Sequence, residues 1–133
     1  MLTKINDEDL PKPVHFMKVQ PWNWSLYLFD DRHDHHKFVN MTRSHTPLAW
    51  EVMDSCNAIC SCNRNNKEVV IGVFGNHLPE LVHEVTHAVF RILETVGEPL
   101  RYDSELIPYT IEHLFGECRD ALNAKAAEEL RTQ

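Results

Sequence analysis

The stretch LPELVHEVTHAVFRILETVGEP, from Leu78 to Pro99, decides the fold and carries the motif H-E-x-x-H as His83, Glu84 and His87. Its apolar residues recur at the spacing of an amphipathic helix that packs on a core. The motif falls on the other side, where a spacing of four residues stacks the two imidazoles so that both can reach one ion. This pattern predicts a core-packed helix with metal-binding chemistry, and the alternative is a pair of solvated surface histidines.

Local signals set the ends of this helix. Pro79 is typical of a first helical turn, and Gly97 is typical of the residue after a helix. The predicted helix therefore runs from Leu78 or Pro79 to Val96. Its apolar stripe comprises Leu81, Val82, Val85, Ala88, Val89, Ile92, Leu93 and Val96.

Short β-branched or apolar runs before the helix predict a small sheet of about three strands or more. The strand candidates are Trp24 to Phe29, Asn57 to Cys62 and Glu68 to Phe74. The last two can pair across the turn-like segment Asn63 to Lys67. The segment Thr46 to Ser55 is a candidate short helix.

A second long helix is predicted over Asp103 to Leu130. Its apolar stripe comprises Ile107, Ile111, Leu114, Phe115, Cys118, Ala121 and Leu122. Glu105, Tyr109 and Glu112 lie on the opposite side of the same helical wheel. The two helices therefore each bury one face and present polar residues on the other, and the predicted fold class is α+β.

Composition limits the classes of function. A chain of 133 residues with 43% hydrophobic content is predicted to form one domain spanning residues 1–133. Its net charge of -7 would repel a phosphate backbone and an anionic membrane surface, so neither nucleic acid nor membrane is an expected partner. The amino terminus lacks an apolar export segment and no apolar run is long enough to span a membrane, which predicts a soluble chain. Its four cysteines are predicted to be reduced thiols.

The segment HEVTHAVF, preceded by a short apolar strand and followed by an acidic helix, resembles the zincin-type metallopeptidases. It resembles in particular the small HExxH proteins predicted in tailed-phage genomes, and the resemblance covers roughly Val69 to Leu122. The resemblance implies a zinc-dependent peptidase of the glutamate-zincin type, with His83 and His87 as ligands and Glu84 as the base that activates a zinc-bound water. The chain departs from the metzincin pattern, since the motif is not extended as H-x-x-G-x-x-H.

The resemblance also implies a third zinc ligand from a downstream glutamate, and Glu105 fits the spacing of that pattern. A strictly antiparallel helix pair would instead favour Glu112 or His113, and Asp103 is a further candidate. Related enzymes stabilise the oxyanion with a tyrosine or histidine, which assigns Tyr109 or His113 to that role here; packing or surface roles are the alternative.

The partners implied by the resemblance are a protein or peptide substrate, from phage or host, in the cytoplasm; for a phage-encoded protein this is the host cytoplasm. Two alternatives come from other classes of protein. One is a zinc-stabilised phage structural or adaptor protein without chemistry, and the other is a host-takeover binding protein that retains an HExxH scaffold. A free coordination position on zinc distinguishes a catalytic site from a structural one, which is closed by a fourth protein ligand.

A histidine-rich tract, DDRHDHHKF, spans Asp30 to Phe38 and contains His33, His35 and His36. Clustered donors can bind metal, but they need a fixed geometry that turns seldom supply. The tract is therefore predicted to be a solvated turn, with a second metal site as the alternative.

Overall fold

The computed structural model describes residues 9–42, 55–75, 78–98 and 105–132, which form an α+β fold. The elements in chain order are β1 (His15–Val19), β2 (Trp24–Phe29), α1 (Arg32–Thr42), β3 (Ala58–Asn63), β4 (Glu68–Val73), α2 (Leu78–Val96) and α3 (Leu106–Arg131). Most of the short helix predicted over Thr46 to Ser55 lies outside the described residues.

The four strands form one mixed sheet in the order β1-β2-β4-β3. β2 and β4 are parallel neighbours at its centre, while β1 and β3 pair antiparallel at its two edges. The predicted hairpin between the last two strands is confirmed, with Cys60 opposite Ile71. The fourth strand is β1, which was not among the strand candidates.

The two faces of the sheet carry separate clusters of side chains, because successive residues of a strand point to opposite sides. One face packs against α2 and α3, with Leu26, Ile71 and Leu114 fully buried between them. The other face packs against α1 through a smaller cluster comprising Phe29, Phe38, Val39 and Val70. The sheet is therefore covered by helices on both sides.

The helix α2 has the predicted bounds, Leu78–Val96. Six of the eight predicted stripe residues are buried, whereas Val82 and Val96, near the two ends of the helix, are 41% and 39% exposed. Glu84 was expected on the solvent side and is instead buried. The buried arc of α2 is therefore rotated toward Glu84, because that side of the helix lies against β3.

The histidine-rich tract forms the helix α1, so the prediction of a solvated turn is wrong. The helix begins after Asp31, whose Oδ1 accepts a hydrogen bond from the backbone N of Asp34 at 3.0 Å, as in an N-cap. His35, Phe38 and Val39 are buried on one side. Their packing against the sheet stabilises this helix, which the polar composition of the tract does not predict.

The helix α3 extends toward the β1 edge of the sheet. Its Glu117 carboxylate lies 3.2 Å from Nε2 of His15 on β1, and Lys125 donates to Asp30, after β2, at 2.5 Å. The start predicted at Asp103 lies outside the described residues, and Pro108 sits in the first turn of the helix, where proline is tolerated. Within the described residues, no helix combines the length and apolar character needed to cross a membrane.

Candidate metal centre

Two histidines converge on the outer side of α2. Nε2 of His83 and Nε2 of His87 lie 3.1 Å apart, and the ring planes are nearly perpendicular at 82° with centroids 4.6 Å apart. Both side chains are exposed. The spacing of four residues puts them on adjacent turns of one face, so the helix backbone itself sets their approach.

This approach suits a shared metal ion. Zinc holds imidazole nitrogens at about 2.0–2.1 Å, so two nitrogens on a tetrahedral zinc lie about 3.3 Å apart. The observed 3.1 Å is close to that separation. The same distance also fits a hydrogen bond from one neutral ring to the other.

Glu84 lies beside the pair but is buried, and it lines a pocket next to β3. Its Oε1 is 3.9 Å from Nε2 of His83, and the residue is only 7% exposed. Burial raises the pKa of Glu84; His83 and His87 oppose that change, and Glu80 adds to it. The site therefore holds a carboxyl group that binds a proton more readily than an exposed glutamate does.

A pocket of about 250 Å³ opens between α2 and the edge strand β3. Within the described residues β3 pairs on one side only, with β4. The pocket is lined by Ala58, Ile59, Cys60, Glu84, His87 and Arg91. One wall is therefore formed by β3, including the thiol of Cys60, and the other by Glu84, His87 and Arg91 of α2.

The thiol of Cys60 faces α2 from β3. Burial raises the pKa of Cys60 to about 12, with smaller contributions from Glu84 and Cys62, while Arg91 opposes them. All four cysteines of the chain are free. The pocket therefore contains a neutral thiol, whose sulfur is a weak donor and acceptor.

The residues proposed from α3 do not gather at the histidine pair. Tyr109, Glu112 and His113 line a shallow depression that is formed by α3 alone. Glu105 is exposed at the N-cap position of that helix. In the part of the chain that the structure describes, no group of three or more His, Cys, Asp or Glu side chains is arranged to hold a metal ion. Asp103 lies outside the described residues.

The layout of the sheet explains this separation. α2 meets β3 through the pocket, whereas α3 reaches β1 through the contact of Glu117 with His15. β1 and β3 are opposite edges of the sheet. The histidine pair and the described contacts of α3 therefore lie on opposite flanks of α2, and the assignment of Glu105 as third ligand stays a prediction.

The histidines of α1 do not form a second centre among the described residues. His35 is fully buried and lies edge-on to Phe29 and Phe74, with ring centroids 6.1 and 5.8 Å away. His33 is exposed, and His36 approaches the side-chain amide of Asn40 at 2.9 Å. The 100° step of a helix sends the three rings in different directions.

Cys60 is one of the pocket residues that were not predicted from the sequence to belong to the site. It was grouped with reduced thiols and given no role. The signal was present, because the predicted β3–β4 hairpin and strand alternation place Ala58, Cys60 and Cys62 on one face. What was missing was the knowledge that α2 lies against that face at the edge of the sheet.

Comparison of the chain with protein-family models, with curated proteins and with solved structures finds no match.

Proposed function

We propose that this chain is a zinc-dependent hydrolase that cleaves a peptide bond, with His83 and His87 as zinc ligands and Glu84 as the catalytic base. The observation that carries the proposal is the convergence of the two Nε2 atoms at 3.1 Å next to a buried carboxyl group in a pocket. Neutral imidazoles are the ligands that zinc prefers in open catalytic sites.

Bound zinc would supply Lewis acidity and a water with a pKa near neutrality. The chain's own contribution is proton transfer. The carboxylate of Glu84 accepts the water proton and delivers it to the amine that leaves the substrate. Burial raises the pKa of Glu84, which makes its carboxylate a stronger base.

The edge position of β3 supports a peptide as the substrate class. An edge strand presents backbone N–H and C=O groups to which an extended peptide can add as a further strand. Since Cys60 of β3 and Glu84 line the same pocket, a peptide laid along β3 would bring one of its bonds toward the base.

The remaining roles rest on the resemblance to glutamate-zincins. Glu105 is our assignment for the third ligand, and Tyr109 or His113 for the group that stabilises the oxyanion. These roles require the first turns of α3 to approach the histidine pair. The same resemblance supports two further proposals. The substrate is a phage or host protein, and the chain acts in the cytoplasm.

The experiment is a comparison of wild type with Glu84→Gln on a library of short peptides read by mass spectrometry. We expect cleavage by the zinc-loaded wild type and a loss of about 10²- to 10⁴-fold in Glu84→Gln, with zinc content unchanged. Glu94→Gln is the matched control, because Glu94 is an exposed glutamate of the same helix, ion-paired with Arg64 at 3.4 Å. Equal turnover by wild type and Glu84→Gln would reject the mechanism.

A non-catalytic binding protein that retains the HExxH scaffold is the second candidate. It is favoured by the finding that no third donor completes a metal-holding group among the described residues. Under this candidate the wild type cleaves no peptide in the library at any zinc loading, and Glu84→Gln does not differ from it.

A further inference from the structure

Arg91 extends the row of functional side chains on α2. It follows His87 by four residues, about 6 Å along the helix axis at 1.5 Å per residue. It lines the same pocket as Glu84 and His87, facing Cys60 of β3. A cation therefore stands at the end of the pocket toward the carboxyl terminus of α2.

In the part of the chain that the structure describes, Arg91 has no ion-pair partner. Among the described residues, no carboxylate lies within 4.0 Å of its guanidinium group. The nearby Glu94, three residues on, pairs instead with Arg64 of the β3–β4 turn at 3.4 Å. An arginine that lines a pocket and has no acidic partner is available to an acidic ligand.

We propose that Arg91 is the specificity-determining residue of this site and binds a carboxylate group of the peptide close to the bond that is cleaved. The planar guanidinium group can donate two parallel hydrogen bonds to a carboxylate, which gives both affinity and a fixed orientation. An extended peptide rises about 3.3 Å per residue, so a separation of about 6 Å corresponds to about two residues. The inference rests on the proposed peptidase function.

The carboxylate has two possible sources in a peptide. It is either the side chain of an aspartate or glutamate, or the free carboxyl terminus. The first makes the chain an endopeptidase with acidic preference, and the second makes it an enzyme that removes residues from the carboxyl end. The chemistry of recognition by Arg91 is the same in both.

The test measures binding rather than turnover, on the full-length, zinc-loaded Glu84→Gln chain. The probes are three acetylated alanine tetrapeptides: an amidated one with a single glutamate, an amidated one with glutamine in its place, and one with a free carboxyl terminus. Affinities are measured by calorimetry for Glu84→Gln alone and combined with Arg91→Glu or Arg91→Lys. Arg119→Glu is the matched control, because Arg119 is an exposed arginine of α3 that does not line the pocket.

We expect one of the two acidic probes to bind about tenfold or more tighter than the glutamine probe. That preference should disappear in Arg91→Glu, persist in part in Arg91→Lys and be unchanged in Arg119→Glu. The acidic probe that binds tighter identifies the source of the carboxylate. Equal affinity for all three probes, or a preference that survives Arg91→Glu, would overturn the inference. This test requires no cleavage. A wild type that cleaves no peptide would therefore reject the proposed function, while the binding preference of Arg91 would still be measured.

Discussion

Nε2 of His83 and Nε2 of His87 lie 3.1 Å apart on the exposed side of α2. One turn of helix imposes this distance, while the buried stripe on the other side fixes the helix against the sheet. The approach of the two imidazoles is therefore set by local structure that does not depend on the rest of the proposed site.

Replacing one member of this pair should abolish tight zinc binding. We expect His87→Ala to lower zinc affinity about 10²-fold or more, because a single imidazole cannot chelate. Affinity is measured by competition with a chromophoric chelator. His33→Ala, which removes an exposed histidine of α1, should bind zinc as the wild type does. An equal loss in both variants would show that zinc binds without the pair.

The assignment of the third zinc ligand can be tested by replacing two glutamates of the α3 region in turn. We expect Glu105→Ala to weaken zinc binding strongly and Glu112→Ala to leave it unchanged, because Glu105 fits the spacing of the glutamate-zincins. Both side chains are exposed, so neither change disturbs the core. Zinc competition at matched protein concentration measures the difference. A large loss confined to Glu112→Ala would mean that α3 runs antiparallel to α2 and that Glu105 is the wrong residue.

The packing of α1 on the sheet can be tested at a glycine. A Cβ at Gly72 of β4 would lie 2.6 Å from Cζ of Phe74 and 2.9 Å from Cδ2 of His35, both in buried side chains. We expect Gly72→Ala to lower the free energy of unfolding by about 1–3 kcal/mol through overpacking. Urea denaturation measures the change.

Gly116 is the matched control for that substitution. It lies within α3, and a Cβ there would meet nothing within 4 Å. Gly116→Ala should raise the free energy of unfolding by about 0.5–1 kcal/mol, because alanine loses less backbone entropy than glycine in a helix. A neutral Gly72→Ala would contradict the close approach of α1 to β4.

The buried thiol of Cys118 predicts a loss of stability in alkali. Burial raises the pKa of Cys118 to about 12 from the ordinary 9.0, and the charge of Glu117 adds to this. Above the ordinary value the unfolded chain releases the thiol proton while the folded chain keeps it. The contribution is therefore fully present below pH 9 and falls by about 1.4 kcal/mol per pH unit as the pH rises toward 12.

Comparison with Cys118→Ala isolates that contribution. The variant is less stable at neutral pH because it leaves a cavity in the core, but its free energy of unfolding should fall less steeply above pH 9. The other titrating groups are the same in both proteins, so their contributions cancel when the two slopes of unfolding free energy against pH are subtracted. Parallel slopes would show that the thiol ionises as easily in the folded chain as in the unfolded one.

The sequence predicted the elements whose patterns are local. The periodicity of α2 gave its bounds, and the turn between Asn63 and Lys67 gave the β3–β4 hairpin. The helix α1 was not predicted, because its apolar residues Phe38 and Val39 follow a run of charged and histidine residues. Only their contact with the sheet reveals which side of the tract is buried.

In the candidate site, too, only the features that depend on local structure could be predicted from the sequence. The pairing of His83 with His87 follows from helix geometry alone. The burial of Glu84 and the presence of Cys60 in the pocket depend on which flank of α2 meets β3, and sheet order is not a local property. The third ligand depends on how α2 and α3 cross, which spacing along the chain does not fix.

The zinc content of the native chain is the most direct test of whether His83 and His87 form a metal site. The measurement is elemental analysis of full-length protein purified without a histidine tag and without added metal. We expect one zinc per chain, held by His83 and His87. Protein that contains no zinc and takes up none when zinc is supplied would contradict it.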